Sequence, residues 1–103
     1  SRGNKSGTYA VAAHEYGHSL TENVRLAVGE DSFDKTATRI VTEARKTTGE
    51  RGNIKFGRRI SEYATVSDAE TVAEAVSDYM CNGSKAKRQS KAVVKVIDGY
   101  LRK

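Results

Sequence analysis

Apolar residues recur along this chain at intervals of three and four, the spacing that lines one side of an α-helix. Tyr9, Ala13, Tyr16, Leu20, Val24 and Ala27 form the first stripe, which starts near Thr8 and stops at Gly29. A second helix follows a cap at Asp31 or Ser32. Phe33, Ala37, Ile40, Val41 and Ala44 lie on its inner face, and Gly49 and Gly52 close it. Residues 53 to 66 lack the period and read as irregular, with a short extended piece near Ile54 to Phe56. Ser67 opens a third helix, Ser67-x-x-Glu70 matching a capping box, with Ala69, Val72, Ala73, Val76 and Met80 as its apolar arc. Asn82-Gly83 is a strong stop, and Ser90 opens a last helix with Val93, Val94, Ile97, Tyr100 and Leu101 facing inward. The pattern predicts a mainly α domain of about four helices with little or no β-sheet. Ser1 to Gly7, small and polar, read as a frayed end, and no internal repeat is evident.

Composition narrows the class. A chain of 103 residues is one domain at most. With 37% hydrophobic and 30% charged residues it is too apolar for a disordered segment. It has no apolar run long enough to span a membrane and no signal-peptide pattern. Ser1 is not an initiator residue, so the chain is expected to be a piece of a longer protein. Its one cysteine, Cys81, excludes an internal disulfide and fits a reducing compartment. The net charge of +5 is uneven: Lys85, Lys87, Arg88, Lys91, Lys95, Arg102 and Lys103 near the end face one acid, Asp98. With neither a nucleic-acid motif nor an interleaving of aromatic and basic residues, they read as a solvated helix face, and nucleic acid is not an expected partner.

The candidate chemistry lies in the first helix. Ala13-His14-Glu15-Tyr16-Gly17-His18 contains H-E-x-x-H, and it holds both histidines of the chain. Residues four apart project from one helix face, so His14 and His18 can bind one zinc ion through neutral ring nitrogens. Glu15 is rotated about 100° from His14 and can reach a water on the open side of such a metal, as a general base. Catalytic zinc needs a third protein ligand. Cys81 is one candidate, although a lone cysteine late in a helix is more often a small core residue. Glu70 and Glu74, four apart beside the apolar arc of the third helix, are the others. Gly17 would let the two helices cross closely enough for a carboxylate to meet the imidazoles. Zinc is the default metal, with cobalt or manganese able to occupy the same ligands.

The motif and the later segment Ile60-Ser61-Glu62-Tyr63-Ala64-Thr65-Val66-Ser67-Asp68-Ala69-Glu70-Thr71-Val72-Ala73-Glu74-Ala75 together resemble gluzincin-type zinc peptidases such as the anthrax lethal factor catalytic domain. Residues from Ile60 to Lys95 also resemble the C-terminal region of phage minor head or head-morphogenesis proteins, down to Asn82-Gly83 and Ser90-Lys91-Ala92. The first resemblance implies a single zincin-like metallopeptidase domain over residues 1 to 103, with a peptide or protein substrate. His14, His18 and Glu70 would hold zinc, Glu15 would be the base, Glu74 would orient a ligand imidazole, and Tyr63 would stabilise the oxyanion. Ser67 and Thr71 stand where that family has Asn and an aromatic residue. The second resemblance implies an alternative: a zincin-like structural module of a phage or prophage head protein, with head proteins as partners and a structural metal. Its setting would be a bacterial cytoplasm or a virion.

Overall fold

The computed structural model describes residues 7 to 102. Four long helices and a short one follow one another: α1 (Gly7–Val28), α2 (Phe33–Thr48), α3 (Asn53–Arg58), α4 (Asp68–Asn82) and α5 (Arg88–Leu101). Single 3-10 turns at Tyr63–Val66 and Gly83–Lys85 precede and follow α4. No strand occurs among the described residues, so the mainly α expectation holds. Ser1 to Ser6, read from sequence as a frayed end, lie outside the described residues, while Gly7 already belongs to α1. Among the described residues no helix is long and apolar enough to cross a membrane.

Capping chemistry sets the starts of α2 and α4. The Ser32 hydroxyl accepts a hydrogen bond from the Lys35 N–H at 3.2 Å, and the Ser67 hydroxyl accepts from the Glu70 N–H at 3.1 Å. Only half of the expected capping box forms at Ser67, because the Glu70 carboxylate turns toward the histidines instead. α4 is the axis of the fold: every residue from Thr71 to Asp78 is buried. The core around it comprises Val24 from α1, Ile40 and Val41 from α2, Phe56 from α3, Val72 from α4 and Val93 from α5, all fully buried. Each such side chain contributes about 1.5–3 kcal/mol relative to leaving it in water.

The structure corrects several details of the sequence reading. Residues 54–56 are not extended; they lie in α3, which buries Phe56 and Gly57. On α1 the buried positions are Ala13, Gly17, Thr21 and Val24, while Tyr9, Tyr16 and Ala27 of the expected stripe are exposed. Small residues face α4 there because the two helices are too close for large ones. Met80 and Leu101, expected inside, are also exposed. α5 begins at Arg88, so Ser90 is buried inside its first turn.

A repeat also emerges. At an offset of twenty residues, Arg25, Gly29, Glu30, Lys35, Arg39 and Ile40 recur as Arg45, Gly49, Glu50, Lys55, Arg59 and Ile60. Both glycines end their helices in the left-handed region, with φ of 75° and 81°. In both turns the arginine Nη1 donates to the following glutamate carbonyl at 2.9 Å. In both, that glutamate's carboxylate then meets the later arginine, Arg39 at 3.7 Å and Arg59 at 3.2 Å.

Candidate metal centre

The crossing of α1 and α4 builds the site. A Cβ added to Gly17 would lie 2.7 Å from Ala73 Cα, so only glycine lets the backbones approach this closely. His14 and His18 flank Gly17 on α1, and Glu70 and Glu74 flank Ala73 on α4. The Ser77 hydroxyl donates to the Ala10 carbonyl at 3.2 Å, pinning the two helices beyond the crossing. The entry to α4 is fixed from the other side. Asp68 accepts from the Thr38 hydroxyl at 2.8 Å and from the Asn53 amide at 3.2 Å, and the Thr71 hydroxyl donates to the Ala64 carbonyl at 2.7 Å.

The four side chains meet in a graded way. Glu70 Oε1 lies 2.7 Å from His14 Nε2, and Glu70 Oε2 lies 3.4 Å from His18 Nε2. One ligand atom from each of His14, His18 and Glu70 falls within 4.8 Å of the others. Glu74 sits one turn deeper, only 3% exposed, with Oε2 2.8 Å from His14 Nδ1. The imidazole rings are T-shaped to one another with centroids 5.0 Å apart, and the Phe33 ring stands 6.1 Å from that of His18.

A carboxylate only accepts, so His14 satisfies buried Glu74 by donating its Nδ1–H. In the neutral ring Nε2 then carries a lone pair, yet it points at another acceptor, Glu70 Oε1. That oxygen is buried and has no hydrogen-bond donor among the described residues. Two lone pairs facing each other at 2.7 Å require a cation between or beside them. A proton on Nε2 meets that need for His14 alone. A metal ion meets it for His14, His18 and Glu70 together, and two nitrogens with one carboxylate are a donor set suited to zinc. The carboxylate behind His14 is the usual outer partner of a metal-bound imidazole, fixing its tautomer and direction. Among the described residues His18 has no such partner, its Nδ1 being buried without a hydrogen bond.

The site opens into a cleft of about 640 Å³ lined by His14, His18, Glu70, Glu74, Glu15 and Tyr63, with Ala10 and Val11 at its apolar edge. Tyr63, 55% exposed, opens the 3-10 turn before α4, its ring 5.9 Å from that of His14. Every site residue expected from the sequence therefore lines one cavity. Cys81 does not join them. It is a free, buried thiol in the last turn of α4, about 16 Å along the helix from Glu70. Sequence reasoning gave no role to Ser61, whose hydroxyl donates to Glu74 Oε1 at 3.0 Å; its place two residues before Tyr63 was the available signal.

Compared with known protein families, curated proteins and solved structures, the chain finds no match.

Proposed function

We propose that this chain is a zinc-dependent peptide hydrolase domain. One observation carries the reading: two imidazole nitrogens one helical turn apart and a carboxylate from another helix converge within 4.8 Å, on a cleft that also receives Glu15 and Tyr63. His14, His18 and Glu70 would hold the ion, and these are the residues through which the sequence resembles gluzincin-type peptidases.

When bound, zinc supplies Lewis-acid polarisation of the scissile carbonyl and lowers the pKa of a bound water to about 7. The chain's own groups do the rest. Glu15, exposed at the cleft and one position beyond His14, takes the proton of the attacking water and returns it to the departing amine. Tyr63 donates its hydroxyl to the carbonyl oxygen as negative charge develops there. Glu74 holds the tautomer of His14 that leaves Nε2 free to ligate.

Elemental analysis of the purified protein, followed by cleavage of a peptide library, tests the proposal. The wild type is expected to carry one zinc per chain and His14→Ala none. Glu15→Gln is expected to keep zinc and lose cleavage by about 10²–10⁴-fold. Wild-type activity in Glu15→Gln removes the mechanism. Zinc bound with no peptide cut by the wild type points instead to the structural-metal module implied by the resemblance to phage head proteins.

A further inference from the structure

We infer that Ser61 is a positioning residue of the metal centre, acting through Glu74 on His14. The inference rests on the metal-binding reading above. Ser61 lies outside any helix, in the segment between α3 and the turn that carries Tyr63. Its backbone N–H donates to the Gly57 carbonyl at 3.1 Å, which fixes where its side chain starts. Its hydroxyl accepts from the Ala64 N–H at 3.1 Å and donates to Glu74 Oε1 at 3.0 Å. A hydroxyl has one proton, so the Ala64 contact leaves that proton for Glu74.

Among the described residues, Glu74 accepts from Ser61 at Oε1 and from His14 Nδ1 at Oε2. A carboxylate held at one oxygen can still rotate about its last torsion, whereas one held at both has its plane fixed. Because Glu74 sits in the fully buried stretch of α4, its backbone cannot shift to compensate. Ser61 therefore sets the plane of the Glu74 carboxylate, Glu74 sets the direction of the His14 ring, and the ring direction sets where Nε2 points. The same serine caps the turn that presents Tyr63, so one hydroxyl registers that tyrosine against the ligand imidazole.

A plain capping role predicts the same hydrogen bond from Ala64, so the test must isolate the path through Glu74. Zinc affinity is measured by competition with a chromophoric chelator for the wild type, Ser61→Ala, Ser61→Thr, Glu74→Gln and the Ser61→Ala/Glu74→Gln double variant. The visible spectrum of the cobalt-loaded forms is recorded alongside. Ser61→Ala is expected to bind about tenfold more weakly with an altered cobalt spectrum, and Ser61→Thr to restore both. In the Glu74→Gln background, Ser61→Ala should add nothing, because its route of action is already cut. Wild-type affinity in Ser61→Ala, or losses that add in full, overturns the role of Ser61. A wild type that binds no zinc overturns the metal reading itself, and the first titration shows it. Should Ser61→Ala not fold, Ser61→Asp serves: it still accepts from Ala64 but has no proton for Glu74. Weakened binding is then expected, and wild-type binding overturns the inference.

Discussion

The smallest residue of the site carries one of the sharpest constraints. Gly17 lies between the two histidines and against Ala73, where a methyl group would meet main chain rather than a movable side chain. Gly17→Ala must therefore push α1 off α4. It is expected to cost about 1–3 kcal/mol in urea unfolding, the usual range for overpacking, and to weaken zinc binding because both imidazoles move with α1. His14, Glu15 and His18 were legible from spacing alone, since a helix puts positions four apart on one face. Glu70 and Glu74 were legible as a pair for the same reason, but spacing could not order them. Depth orders them: Glu70 belongs to the first turn of α4 and reaches both Nε2 atoms, while Glu74 is walled in and meets only the far nitrogen of His14 among the two rings. Ser61 was harder to read for a different reason, its place near Tyr63 being the one signal. Its role depends on a contact across thirteen positions between a turn and a helix, and no local period encodes such a contact.

At the scale of elements, α5 is started by a residue of α4. The Asp78 carboxylate accepts from the Lys87 N–H at 2.9 Å and from the Asn82 amide at 2.7 Å. Burial alone would raise the Asp78 pKa. The neighbouring Ser90 hydroxyl, the hydrogen bonds from the Lys87 N–H and Asn82, and the charge of Lys87 outweigh it and hold the value below that of an ordinary aspartate. A lowered carboxyl pKa contributes stability above the unfolded value of about 3.9 and loses it as pH falls through the folded value. Asp78→Ala is expected to cost about 1–3 kcal/mol at neutral pH. The gap to wild type should close in thermal melts taken progressively below about pH 4. A gap that persists undiminished at pH 2 would show that Asp78 acts by packing. This cap explains why Ser90 is not the helix start: Asp78 of another helix caps the N-terminus at Lys87, and Ser90 lies buried inside the first turn. α3 was missed because six residues are too few to display a helical period. The twenty-residue repeat is hard to see because five of its six identities lie in charged and turn positions, while the apolar pattern that guides a sequence reading differs between the copies.

At the scale of the molecule, the apolar core and the polar site are separate constructions. Val24, Ile40, Val41, Phe56, Val72 and Val93 fill the core, and none of them lines the cleft. The helices cross as they do because of this packing and the Gly17 contact, and the four site residues ride on that crossing. The protein is therefore expected to keep its far-UV circular dichroism at 25 °C after exhaustive dialysis against a chelator. Zinc at a hundred times its dissociation constant should add about 2.7 kcal/mol of stability, which raises the melting temperature by roughly 10–20 °C in a domain of this size. Collapse of the helical signal on chelation would instead mean that the ion supports the fold. With Thr71 to Asp78 enclosed on all sides, α4 cannot bend or roll, and Glu70 stands at its mouth like the tip of a clamped rod. An arriving cation would thus find its oxygen donor already aimed, and little ordering entropy would be lost on capture.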